Sequence, residues 1–592
     1  LKKQPFLEGA VIVLDAASEI GKRYADRAAE MAKTESDAKR KDELLNIAAI
    51  CNKVPAMPAD TFQEALQSYH LAWAMLTMEL YHNIAFALGR MDQYLLPYYE
   101  NDLKEGRLTE EDVQELLDCY LLKLNYVATG NQSTSGSIGV GGYKADGNDA
   151  TNDLTYMFIE SMMHVRMVNP WFAVLIHSKS PDALLIKTAQ LTALETGHPQ
   201  ILSADVGVAQ MLARGNMGGP MVTLKDARAA SNVGCLELAV PGKDSGYLYV
   251  GQDNLALYLE LALNNGARRS DGMKIGAPTG DPLKFESFED VRAAFYEQVL
   301  HMRKMTQENG DRTEQKLIDE YPMPYESVMI EGCVAKGLCR EDGGAHYNFN
   351  TGGTEVGSSD AADSLAAIKR LVFDEKKITM EQLCDALDAN FEGYEDIRKM
   401  CQQVPKFGND DDYVDEQKAW VVHQWASEFQ KLTNLRGGNG CPGGSSMDAY
   451  VPAGKIVGAL PSGRLSGEPL APAGSPSTGK DVNGVTAVLN SMGKVDGTEV
   501  LAGLSLSSRI DPAVFKSNDG MKRMADMLRT FVDQNIFHLQ LNVVSSETLI
   551  AAQENPEDHR DLMVKVAGYN AYFTRLGREL QDSIIARTEH GL

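Results

Sequence analysis

Six consecutive apolar residues, Trp171-Phe-Ala-Val-Leu-Ile176, leave one segment of this chain without a polar face. A strand of that kind has to be covered on both sides, as in a parallel sheet between helical layers, and the run is far too short to cross a bilayer. A second strand reads differently, because Phe537, Leu539, Leu541 and Val543 alternate with His538, Gln540 and Asn542 to give one apolar and one polar face. Phe62, Leu66, Tyr69, Trp73 and Leu76 recur at helical spacing behind a Thr61/Glu64 capping box, and Met380, Leu383, Leu387 and Phe391 describe a further amphipathic helix. The charged run from Thr34 to Lys41 reads as a solvated face or turn. Strands alternating with helices imply an α/β architecture.

With 592 residues, 44% of them hydrophobic, the chain can bury a large core, and length alone suggests several domains of about 150 residues each. A net charge of -25 and a pI near 4.9 argue against nucleic acid or an anionic membrane surface as partner, since both call for basic patches. The eight cysteines contain no CxxC pair, so neither a disulfide framework nor a metal site is expected. A reducing cytoplasm fits that usage, and no segment reads as a signal peptide.

Two motifs carry chemistry when they are taken together. Val564-Lys-Val-Ala-Gly568-Tyr-Asn-Ala-Tyr-Phe573 lies just inside a polar C-terminus, and Gly234-Cys235-Leu236-Glu237 lies far upstream. A backbone radical at an α carbon is delocalised between the amide nitrogen and the carbonyl and needs a planar centre, which only glycine offers without a side chain to oppose it. A cysteine sulfur, whose S–H bond is comparable in strength to activated C–H bonds, is a natural relay to substrate. A carboxylate two residues on supplies proton transfer.

Further segments fall in matching order: Gly89-Arg-Met-Asp-Gln-Tyr94, Gly141-Gly-Tyr-Lys-Ala-Asp-Gly147, Gly343-Gly-Ala-His-Tyr-Asn348, Gly408-Asn-Asp-Asp-Asp412, Ala459-Leu-Pro-Ser-Gly-Arg464 and His538-Leu-Gln-Leu-Asn542. On these residues the whole chain resembles the glycyl radical enzymes, the pyruvate formate-lyase-like superfamily. The resemblance implies a ten-stranded β/α barrel wrapped by helices, with the cysteine and glycine loops meeting inside. It implies a barrel domain over residues 1–530, completed by a glycyl radical domain over 531–592, and makes the Gly/Pro/Ser-rich stretch from Arg436 to Gly479 an ordered excursion rather than a linker. Family members carry further residues before the segment resembling Leu1, so part of the barrel is expected to be absent. The implied catalytic residues are Gly568, Cys235 and Glu237. No bound cofactor is implied; a separate S-adenosylmethionine radical activase installs the radical on Gly568, and the expected partners are that activase, a small-molecule substrate and a second copy in a homodimer. Lys565 stands where the family usually has arginine, and Leu541 where it has phenylalanine.

Residues around the cysteine narrow the branch. Gly234 stands where pyruvate formate-lyase has a second cysteine, and no cysteine after Cys441 remains for the zinc site of anaerobic ribonucleotide reductases. Eliminases and arylacetate decarboxylases remain. The segment Gly242-Lys-Asp-Ser-Gly-Tyr-Leu-Tyr-Val-Gly251 resembles the hydroxyproline dehydratase branch, but Ile84 replaces an acidic residue there, which points to a different substrate. The expected reaction is radical dehydration or other carbon–heteroatom cleavage. Decarboxylation, with Glu355 as an off-register second glutamate, is the alternative. His82, Tyr247 and Tyr249 are candidate substrate contacts; His346 is a further polar handle, and packing or surface roles fit all four residues as well.

Overall fold

Helical periodicity in the first third becomes three helices, Lys3–Thr34, Ala38–Lys53 and Phe62–Glu79. The computed structural model describes residues 3–79, 86–127, 136–215, 220–246, 248–349, 351–517 and 519–592. The capping box at the third helix forms, with Glu64 N–H donating to the Thr61 hydroxyl at 3.3 Å and Thr61 N–H to the Glu64 carboxylate at 3.4 Å. Phe62, Leu66 and Trp73 are buried, with Tyr69 and Leu76 packed against them. The Thr34–Lys41 run spans the junction of the first two helices and is largely exposed.

Thirteen strands follow among the described residues: β1 (Phe86–Arg90), β2 (Gly136–Gly141), β3 (Trp171–Ile176), β4 (Gln200–Ser203), β5 (Ser231–Val233), β6 (Glu237–Ala239), β7 (Leu248–Asn254), β8 (Thr351–Val356), β9 (Ser505–Ile510), β10 (His538–Val543), β11 (Met563–Lys565), β12 (Asn570–Tyr572) and β13 (Glu589–His590). Seven of them form one sheet in the order β1-β2-β3-β4-β10-β9-β13. Its neighbours run parallel except at β4/β10, where Gln540 stands opposite Gln200 in an antiparallel pair. The sheet is therefore two parallel halves joined along one antiparallel seam.

The α/β architecture holds, but the ten-stranded barrel is not found: among the described residues the sheet has seven strands and does not close. β5/β6, β7/β8 and β11/β12 are separate two-stranded ladders. Between β8 and β9 the glycine-rich excursion intervenes, and pairing shrinks to isolated bridges, Thr354 to Gly443 and Gly444 to Leu504. The excursion itself is ordered and largely buried, and Arg464 fastens it by donating to the carbonyls of Gly458 at 2.9 Å and Gly454 at 2.8 Å.

β3 is covered on both faces as its composition demands. Phe172, Val174 and Ile176 join the main core, while Trp171, Ala173 and Leu175 join a second cluster that contains Cys235, Leu236 and Leu238. In β10, Leu539, Leu541 and Val543 enter the main core, and the polar parity is buried too. The inner face of the sheet thus changes character at the seam, from apolar on β3 to polar on β10 and β9. Among the described residues no helix is long and apolar enough to cross a membrane.

Candidate active site

The residues expected to carry radical chemistry stand at the tips of two hairpins. β5 and β6 pair Val233 with Glu237, leaving Gly234, Cys235 and Leu236 as a three-residue turn. Such turns need a left-handed position. Gly234 supplies it at φ 61°, and its N–H donates to the Ser137 hydroxyl at 2.9 Å. The Glu237 carboxylate folds back to accept Leu236 N–H at 3.2 Å. β11 and β12 pair Lys565 with Asn570, and a bond of 2.9 Å from Val566 N–H to the Tyr569 carbonyl places Ala567 and Gly568 at the second tip.

The two tips meet. Gly568 has φ 102°, and a Cβ placed on it would lie 2.6 Å from both Cβ and Sγ of Cys235 and 3.0 Å from the Ser445 hydroxyl. No L side chain fits there, so one Cα–H bond of Gly568 points at the sulfur. The glycine is held on both flanks: Gln540 Oε1 accepts its N–H at 2.8 Å, and Gln200 Nε2 donates to its carbonyl at 2.7 Å. Asn542 secures the start of the loop with two bonds to Lys565, accepting its N–H at 2.6 Å and donating to its carbonyl at 2.7 Å. Arg587 donates to the Val566 carbonyl at 2.6 Å, and Asn570 to the Thr196 carbonyl at 2.8 Å.

Burial pushes the Cys235 thiol up to about 12, and the Glu237 charge adds to the rise, so the sulfur carries its hydrogen at neutral pH. Desolvation also lifts Glu237 above the ordinary carboxylate value. Lys565 is fully buried, its ammonium has no hydrogen-bond partner among the described residues, and desolvation pushes it down to about 7. Burial and the nearby Lys565 push His198 and His538 down to about 3, which leaves both imidazoles neutral.

A cysteine hairpin touching a buried glycine loop is the geometry expected of radical relay, and comparison with known proteins agrees. Residues 1–454 match the family described as pyruvate formate lyase-like, and residues 470–574 match the one described as glycine radical. The chain belongs to the glycyl radical enzymes. It is 36% identical to trans-4-hydroxy-L-proline dehydratase of Clostridioides difficile, over 99% of this chain and 75% of that protein. It is 34% identical to isethionate sulfite-lyase of Bilophila wadsworthia, over 99% of this chain and 72% of that protein. Among solved structures, the glycerol-bound B12-independent glycerol dehydratase from Clostridium butyricum matches at a TM-score of 0.94 and 37% identity, covering 100% of this chain and 75% of that one.

Within this glycyl radical enzyme, Gly568 and Cys235 are in contact and Glu237 follows on the same hairpin. His82 and Tyr247 lie outside the described residues, and Tyr249 is placed only by its backbone, opposite Gly352 in the β7/β8 pair. His346 is 42% exposed, with its nearest carboxylate, Glu331, at 3.9 Å. Glu355 is fully buried and accepts both the hydroxyl and the N–H of Ser358, at 2.9 and 3.2 Å, which accounts for it as part of a packed polar network. A cavity of about 620 Å³ borders β5 and β6 at Val233, Ala239 and Val240, but Cys235, Glu237 and Gly568 do not line it. Sequence reading gave no role to Gln200, Ser445 or Arg587. It placed Gln540 and Asn542 on the polar face of a strand and within a matching segment, without assigning them to the glycine loop.

Proposed function

We propose that this enzyme performs radical elimination on a small hydroxylated or aminated metabolite, with Gly568 storing the radical, Cys235 relaying it and Glu237 handling the proton. The observation that carries the reading is the direction of Gly568, whose missing side chain would overlap the Cys235 sulfur at 2.6 Å. A separate S-adenosylmethionine radical activase removes one hydrogen atom from Gly568. The glycyl radical then takes the hydrogen atom of the Cys235 thiol, restoring the Cα–H bond and leaving a thiyl. The thiyl takes a hydrogen atom from a substrate carbon. Glu237 accepts the proton of a hydroxyl or ammonium at that radical carbon, the neighbouring leaving group departs with its bonding electrons, and the product radical recovers the hydrogen from Cys235. The relatives' names, dehydratase and sulfite-lyase, denote the loss of water or sulfite and support elimination as the reaction type.

Anaerobic turnover of a metabolite panel by the activated protein tests the reading. The expected result is release of water, amine or another small leaving group from one hydroxylated or aminated compound. Stoichiometric carbon dioxide from an arylacetate, with no elimination from any member of the panel, would overturn it.

A further inference from the structure

A glycyl radical owes its persistence to the two peptide groups that flank the α carbon: the amide nitrogen donates electron density and the carbonyl withdraws it. Each effect grows when its group is polarised. An acceptor on the glycine N–H strengthens donation, and a donor on the glycine carbonyl strengthens withdrawal. Both partners are present here and both have the productive sign, Gln540 Oε1 on the N–H at 2.8 Å and Gln200 Nε2 on the carbonyl at 2.7 Å.

The arrangement is built rather than incidental. Gln200 and Gln540 are direct cross-strand partners at the antiparallel seam, and they are 0% and 1% exposed. A backbone N–H can only donate and a carbonyl can only accept, so the glycine itself fixes which end of each carboxamide faces it. Gln540 is locked further, because its amide group donates to the hydroxyls of Ser505, at 3.1 Å, and Ser507. Gln200 has no such anchor. Among the described residues its buried Oε1 has no partner, so the bond to Gly568 is what orients it.

We propose that Gln540 and Gln200 are positioning residues that polarise the peptide groups of Gly568 and set the balance between glycyl and thiyl radical. This rests on the reading that Gly568 holds the radical. The step concerned moves a single hydrogen atom: the Cys235 S–H bond breaks as the Gly568 Cα–H bond forms, or the reverse. Polarisation from both flanks holds that exchange on the glycyl side, which makes the radical storable. A buried hydrogen bond of ordinary net strength is worth roughly three- to tenfold in such an equilibrium.

The experiment is anaerobic activation of the full chain, read by electron paramagnetic resonance. Growth on α-deuterated glycine must first collapse the doublet of the unaltered protein; a doublet that persists means the radical is not glycyl, and the reading beneath this proposal fails instead. Gln540→Leu and Gln200→Leu are then expected to widen the α-hydrogen splitting, as spin returns to the α carbon, and to shorten the radical lifetime by roughly three- to tenfold each. Leucine variants whose splitting and decay match the unaltered protein would overturn the proposal. If those variants yield no radical, glutamate serves at both positions. Glutamate at 540 accepts in either protonation state and should keep the narrow splitting at all pH values, whereas glutamate at 200 can donate only when protonated and should widen the splitting as pH rises. Identical, pH-independent spectra from Gln540→Glu and Gln200→Glu would overturn it as well.

Discussion

The two hairpins that meet at the site are held in opposite ways. The cysteine hairpin sits where the inner face of the sheet is apolar, and Cys235 and Leu236 pack in one cluster with Trp171, Ala173, Leu202 and Phe537. The glycine hairpin sits across the seam where the same face is polar, and Gln200, Gln540, Asn542 and Arg587 fasten its backbone. The difference follows from the side chains. A cysteine can be placed by close packing around its sulfur, which behaves as a small hydrophobe. A glycine offers nothing to pack, so it can be placed only through its N–H and carbonyl. Burial in turn obliges those groups to find partners.

The largest effect that can break this picture is Gly568→Ala, which is expected to abolish both the doublet signal and turnover. The methyl group would meet the Cys235 sulfur at 2.6 Å on a backbone at φ 102°. A persistent doublet in that variant would place the radical elsewhere. Next comes Cys235→Ser, expected to keep the glycyl signal and lose turnover, because an O–H bond is too strong for the relay; product formation at a substantial rate would separate the cysteine hairpin from the chemistry. Glu237→Gln should keep the radical and substrate binding while turnover falls at least about a hundredfold, the usual scale of general acid–base help. Near-normal kcat there would reduce Glu237 to a cap on its own turn.

The last test concerns stability rather than turnover, at Lys565, whose buried ammonium lies beside the two hairpins. Its folded value of about 7 lies below its ordinary 10.5, so between those values the unfolded chain binds the extra proton. Stability attributable to Lys565 should therefore rise by up to roughly 1.4 kcal/mol per pH unit from about pH 7 toward pH 10 and stay flat below pH 7. Lys565→Met should remove that slope, as read from denaturant midpoints at several pH values. A slope identical in both proteins would mean that Lys565 keeps its charge in the fold.

Sequence legibility differed between the same two regions. The meeting of Gly568 with Cys235 was readable because the chain resembles a family whose radical chemistry calls for those residue types. The double covering of β3 and the two parities of β10 were readable because each is a local pattern. Gln200 was not, for it acts on a carbonyl 368 positions away and nothing beside it in the chain marks it. The antiparallel direction of β4 against β10 was equally hidden, since a strand's sequence carries no record of which way its neighbour runs. Closure of the barrel came from resemblance alone, and between β8 and β9 the pairing is limited to isolated bridges at Gly443 and Gly444.

The contact between Gly568 and Cys235 also distinguishes the two hydrogens of a prochiral carbon. The direction an L side chain would take belongs to the pro-S hydrogen of Gly568, and that direction ends at the sulfur. The pro-R hydrogen points away from it. In repeated turnover an isotope entering from the thiol would collect in the pro-S position alone, leaving a stereochemical record of which face of the planar radical the sulfur approached.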